Sequence, residues 1–186
     1  MPAPIMTHSP TPLDMTPTVN HFAPIAWDRP APHTLTVTVQ PGHIDLMQHT
    51  NNVVYLQWLE DVAWAHSTHL GLGPERYTAL GHGMVVRQHE LNYLQATRLG
   101  EEIVLATWLV GIDKLSLHRQ YQFVRARDGV TVFRGRSHFV CVEIESGRVR
   151  RMLPEFFDAY SEAVRETEAL TEALTEEASA AARPLS

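Results

Sequence analysis

Within ten residues this chain gathers two histidines, an aspartate and two asparagines: His43, Asp45, His49, Asn51 and Asn52. The run leads straight into Val53-Val54-Tyr55-Leu56-Gln57-Trp58-Leu59-Glu60, which reads as the start of a helix. A carboxylate placed just before a helix start sits beside unpaired backbone N–H groups and the positive end of the helix dipole. That combination suits acyl transfer: a base or nucleophile next to a place where an oxyanion can be held. Two plainer readings compete. The asparagines are natural N-caps through their short amide oxygens, although a cap requires neither Asp45 nor His49. His43, Asp45 and His49 are also of types that ligate Zn²⁺ or Fe²⁺, but no fourth ligand accompanies them, and no metal is expected.

The helix over residues 53–70 is apolar on nearly its whole circumference, which predicts burial on most sides. Gly71 is placed to end it, and Pro74 to block any continuation. Upstream, residues 34–40 alternate Leu35, Val37 and Val39 with threonines and read as a strand. Downstream come a short helical turn over 75–80, a turn at 81–83, and strands over 84–96, 102–110, 115–126 and 130–145. A short extension follows over 148–152. In the third of these, Leu115, Leu117, Tyr121 and Phe123 alternate with Ser116, His118, Gln120 and Gln122, a period of two that lays one face on a core. Asp128-Gly129 is a hairpin signal. Pro154 stands at the first position of a helix carrying Phe156, Phe157, Tyr160 and Val164. The fold class expected is α+β: a curved antiparallel sheet of five or six strands around a long central helix, plus a C-terminal helix. The domain is expected over 34–165. Residues 1–33, with eight of the twelve prolines, read as an extended or disordered tail, and 166–186 as a frayed Ala- and Glu-rich tail.

At 186 residues and 44% hydrophobic, the chain fits one globular domain. The net charge of −6 conceals a basic stretch over 113–151, where nine Lys and Arg face four acids. Such a surface can meet the phosphates of a small ligand, meet nucleic acid, or simply solvate strand faces. No apolar run reaches the length of a membrane span. The first basic residue is Arg29 and no apolar segment precedes it, so no signal peptide is read and a cytoplasmic location is expected. The lone Cys141 excludes an internal disulfide and reads as a small buried hydrophobe in a strand. No Gly-x-Ser-x-Gly elbow is present. Gly71-x-Gly73 and Gly81-x-Gly83 read as turns rather than phosphate loops. His66, His69, His82, His89, His118 and His138 carry no motif, and His8, His21 and His33 are too scattered for a metal site.

Asp45, His49, Asn51, Asn52, Tyr55, Trp58, Leu59 and Glu60 together resemble the signature of the hot-dog-fold acyl-CoA thioesterases, the superfamily of 4-hydroxybenzoyl-CoA thioesterase. The version His43-x-Asp45-x-x-Gln48-His49-x-Asn51-Asn52 is most similar to the long-chain acyl-CoA thioesterase III branch. The resemblance continues through Glu90-Leu91-Asn92-Tyr93 and Leu99-Gly100-Glu101-Glu102 to Phe139-Val140-Cys141-Val142, covering about 34–153. Two departures, Gln48 where many members have glycine and His43 where many have a second acid, bear on substrate choice. The resemblance implies hydrolysis of medium- to long-chain acyl-CoA to free acid and CoA. Asp45 would be the catalytic carboxylate, as nucleophile or general base, with His49 shaping the loop. Backbone N–H groups from Asn51 to Val53 would polarise the thioester carbonyl. Asn52, Tyr55 and Glu60 would complete the substrate site, and Lys114, Arg87 and Arg98 would meet the CoA phosphates. It also implies a homodimer or tetramer with sheets joined edge to edge, no cofactor beyond the CoA of the substrate, no nucleic-acid partner and no membrane insertion. The same fold carries hydratases, which pair Asp and His as acid and base on a water, and non-catalytic acyl-CoA binding modules. The Asn51-Asn52-x-x-Tyr55 context looks like thioesterase, and a pure binder has no use for Asp45 beside an electrophilic carbonyl.

Overall fold

Five strands build a single antiparallel sheet, and one long helix packs against its inner face. The computed structural model describes residues 23–181. Strands β1 (His33–Thr38), β2 (His82–Tyr93), β3 (Glu102–Ile112), β4 (Ser116–Arg125) and β5 (Val130–Glu143) form a five-stranded sheet in the order β1-β3-β4-β5-β2. Every pairing is antiparallel. Register shifts at Val86/Gln88, Leu109/Gly111 and Phe123/Val124 add the local twist that curls a sheet. Between β1 and β2 run α1 (Asn52–His69) and α2 (Pro74–Leu80), and α3 (Pro154–Ala181) closes the chain.

One face of α1 is buried. Tyr55, Trp58, Leu59 and Val62, at helical spacing, pack against Ile103, Leu105, Tyr121, Phe123, Val132 and Phe133 of the sheet. The opposite face is open: Val53 is 68% and Leu56 37% exposed, and Gln57 and Glu60 are exposed beside them. The expectation of burial on most sides therefore fails within one chain, because the sheet covers only the flank of α1 that faces it. A second cluster joins the far end of α1 to α3 through Leu72, Tyr77, Leu109, Leu117, Cys141, Phe156 and Tyr160.

Three boundaries differ from the sequence reading. Gly81 carries the turn (φ +65), but Gly83 already lies in β2. α3 does not stop near 165; it runs as 28 continuous residues to Ala181, since the Ala/Glu composition read as fraying is also strong helix-forming composition. Residues 23–32, read as tail, lie ordered on the outer face of the sheet. There the Trp108 indole donates to Pro30 O (2.8 Å), Gln122 donates to Ala26 O (3.0 Å) and accepts from Asp28 N (2.8 Å), and Arg134 forks onto Asp28. Gly129, in the Asp128-Gly129 turn that joins β4 to β5, has φ +68, and a Cβ there would sit 2.7 Å from Pro24 O. The rest of the tail reading, residues 1–22, falls outside the described residues.

Candidate active site

The loop before α1 is folded by its own backbone. Ile44 and Thr50 form an isolated bridge. Asp45 N–H donates to His49 O (2.9 Å) and Gln48 N–H to Asp45 O (3.1 Å). Asp45 Oδ1 accepts from Met47 N (2.8 Å) and His49 N (3.4 Å), an Asx-type arrangement that fixes the carboxylate. Oδ2 makes no hydrogen bond to the described residues. Gln48 stands at φ +58, in the left-handed region, which explains why glycine is the commoner choice at this position of the resembling motif. His43 accepts from Gln40 N at Nδ1 (3.1 Å) and sets its ring edge-on to Trp58. Among the described residues no group of three or more His, Cys, Asp or Glu is arranged to hold a metal, so His43, Asp45 and His49 do not converge as ligands.

Asn51 is the N-cap of α1, its side chain accepting from Val53 N at 2.9 Å. Asn51 N–H is itself bonded to His43 O (2.9 Å). Two of the three N–H groups expected to polarise a carbonyl are therefore engaged. The Asn52 N–H has no acceptor among the described residues, and it lies on the dipole axis at the exposed helix start. Tyr55, expected at the substrate, is buried in the core of the single chain. Its ring packs on Trp58, Tyr93 and Phe133, and its hydroxyl bonds Thr97 Oγ1 (2.9 Å), which donates to Thr50 Oγ1 (2.6 Å). Apolar burial and this hydroxyl chain pin the loop to the helix.

A cavity of about 570 Å³ follows the open face of α1. It begins at Val53, passes Leu56, Glu60 and Ala63, and ends at Ser67. Fourteen residues separate Val53 from Ser67, about 21 Å along a helix. The facing wall is apolar for most of this length, with Met84, Val85 and Val86 of β2 and Leu117 and Phe139 of β4 and β5. At the far end stand Arg119, Tyr77 and Tyr160. Burial pushes the Tyr77 hydroxyl far above its ordinary range, and the neighbouring Tyr160 hydroxyl adds to this. Of the residues singled out in the sequence, Val53 and Glu60 line this cavity. Asp45, His49, Asn51, Asn52 and Tyr55 do not line it in the single chain. Lys114, Arg87 and Arg98 are not brought together: Lys114 follows the end of β3, Arg98 precedes its start, and an 11-residue strand of about 36 Å lies between them. Arg87 sits at the β2 bulge on the sheet edge.

The far-end residues, Ser67, Tyr77, Arg119 and Tyr160, were missed in the sequence because they come from four elements. One signal was available. Leu117, Arg119, Tyr121 and Phe123 share the inward phase of β4, and an arginine in the apolar phase of a strand calls for a reason.

Residues 39–162, two-thirds of the chain, match the thioesterase-like superfamily, and the chain belongs to it. Among individual relatives, a Synechocystis protein that carries an esterase name is 29% identical over 120 residues, 64% of this chain and 72% of its own length. The betainyl-CoA thioesterase of Pseudomonas aeruginosa is 28% identical over 85 residues, 46% of this chain and 54% of its own. A Staphylococcus aureus protein whose structure was solved in complex with CoA superposes with a TM-score of 0.68 at 18% identity, covering 75% of this chain and 87% of that one. The architecture is the hot-dog fold. Among the described residues no helix is long and apolar enough to cross a membrane.

Proposed function

We propose that the protein is an acyl-CoA thioesterase of medium- to long-chain specificity, as in the long-chain acyl-CoA thioesterase III branch that its motif resembles. The observation that carries this reading is the apolar cavity that starts at the first turn of α1 and follows it for about 21 Å. A thioester carbonyl placed at the Asn52 N–H would have a long acyl chain lying along the helix. The S. aureus structural relative binds CoA, and the P. aeruginosa relative is a CoA thioesterase by name; both are consistent with a CoA carrier here. In the proposed reaction Asp45 either draws a proton from water as the water oxygen adds to the carbonyl carbon, or adds itself and is then released by water. The C–S bond breaks, and the proton passes to the CoA sulfur. The Asn52 N–H and the helix dipole stabilise the oxyanion between these steps.

Asp45 does not line the cavity of one chain, and the reading therefore takes two chains per site. β2 is an edge strand of 12 residues with Val85 and Val86 half exposed, and a long apolar edge is a surface that proteins pair or cover. Pairing β2 with a second copy would close the open side of the cavity and bring in the second chain's loop. A second reading follows from Glu60, the carboxylate that does line the cavity within one chain: there Glu60 rather than Asp45 is the base. A hydrolysis screen over acyl-CoAs of graded length, run on wild type, Asp45→Asn and Glu60→Gln with light scattering alongside, tests both. No turnover of any acyl-CoA by the wild type sinks the hydrolase. Full activity in a monomer sinks the shared site.

A further inference from the structure

The far end of the cavity carries Ser67, Arg119, Tyr77 and Tyr160. Arg119 is 2% exposed. Its Nη1 donates to His66 Nδ1 (3.0 Å) and Thr107 Oγ1 (3.4 Å), and its Nη2 donates to Ser67 Oγ (3.3 Å). All three acceptors are neutral, since burial and the Arg119 charge push His66 down to about 3. The ion pairs among the described residues involve Arg76, Arg125, Arg127, Arg134 and Arg150, and Arg119 is in none of them. A guanidinium has five N–H donors, and the Arg119 Nε–H bonds none of the described residues. Ser67 Oγ accepts from both Arg119 and Tyr160 (3.1 Å), which leaves the serine's own hydrogen over, and Tyr160 shares a 2.6 Å bond with Tyr77. Glu60 is the one carboxylate on the cavity wall. It lies seven residues, about 10 Å, up the helix from Ser67.

A buried cation with spare donors and no counter-ion is costly unless something anionic completes it. The cavity is the space from which that group can come, and the wall leading to it is apolar. We propose that Arg119, with Ser67, binds a carboxylate at the distal end of a long acyl group. The substrate class is then an ω-carboxyacyl thioester, the half-thioester of a dicarboxylic acid. The thioester end of this assignment rests on the hydrolase reading; the carboxylate end rests on Arg119 alone. A planar fork is the group best matched to a carboxylate, and a site built to bond one discriminates against a chain ending in methyl.

The test compares an ω-carboxyacyl-CoA with a methyl-ended acyl-CoA of equal chain length. Wild type should prefer the carboxyl-ended chain by about 10- to 100-fold in kcat/KM, the scale of a charge-assisted hydrogen bond. Arg119→Met should abolish that ratio, and Arg119→Lys should keep part of it, with the charge retained and the fork lost. Equal or reversed preference in wild type overturns the assignment, as does an unchanged ratio in Arg119→Met. Should Arg119→Met not fold, the wild-type comparison and Arg119→Lys still decide. Calorimetric binding of the same two ligands to Asp45→Asn separates this proposal from the hydrolase. Tighter binding of the carboxyl-ended ligand, reduced on adding Arg119→Lys and lost on adding Arg119→Met, upholds the distal site even if no thioester is cleaved. Equal dissociation constants overturn it even if hydrolysis is fast.

Discussion

The two ends of α1 are built by opposite means. At its N-terminal end the groups fit for chemistry lie within ten residues: Asp45 is held by the amides of its own loop, Asn51 caps the helix, and the Asn52 N–H has no acceptor among the described residues. At its C-terminal end Ser67 meets Arg119 from β4 and Tyr160 from α3, and Tyr160 in turn bonds Tyr77 from α2, with partners separated by up to 93 positions. The first end is a local motif that any sequence reading can find. The second exists only once the sheet has closed and α3 has packed. Chemistry placed at the first end should therefore be separable from stability, while the second end carries both.

The sharpest way to break that contrast is Asp45→Asn. It keeps the shape of the loop and removes the charge, so kcat should fall by about 10²-fold or more with the unfolding midpoint nearly unmoved. Steady-state kinetics beside a urea titration reads both; near wild-type turnover returns the role to Glu60. His49→Ala should cost less in kcat, because the loop uses the His49 backbone while its ring bonds none of the described residues.

Tyr160→Phe is the mirror experiment. It strips the buried Tyr77 hydroxyl of its partner and should lower stability by about 1–3 kcal/mol in denaturant. A neutral result would show the far end to be less tightly coupled than its geometry states.

Acid should also find the far end first. His66 titrates at about 3 in the folded chain against an ordinary 6.5, with burial the leading cause and the Arg119 charge next. His33, stacked on His66, is shifted the same way by burial, then by His69 and Arg119. A folded value below the unfolded one means the unfolded chain binds more protons, so stability is whole above pH 6.5 and falls as pH drops toward 3. The slope is at most about 1.4 kcal/mol per pH unit for each histidine. His66→Gln should flatten the fall in melting temperature between pH 6.5 and 4; an unchanged slope removes His66 from the account.

Gln48→Gly has the smallest expected effect. It relieves a left-handed residue while adding freedom to the unfolded chain, for a net gain of under about 1 kcal/mol.

What was legible follows the same division. The strand alternation, the Asp128-Gly129 turn, the Gly71 stop and the Asn51 cap are all decided by neighbours in sequence, and each stands where those neighbours put it. Tyr55 is held in the core of the single chain by the Thr97 hydroxyl from 42 residues away, a partner that the motif does not announce. Lys114, Arg87 and Arg98 share a sign and a sheet, but strand direction sets two of them at opposite ends. Of the two readings of 23–32, extended or disordered, the structure has a segment laid against the sheet; which one holds is decided by the receiving groups, Trp108 and Gln122, far away in the chain.

Cys141 is the chain's one cysteine and is fully buried in β5, in the cluster that holds Leu117, Phe156 and Tyr160. A thiol reagent can reach it only when that cluster opens, so its labelling rate is a clock for the opening of the polar end of the cavity. The clock runs without any engineered label, and it needs no knowledge of the reaction. A ligand that seats its far end against Arg119 should slow it more than one of equal affinity that occupies only the mouth at Val53.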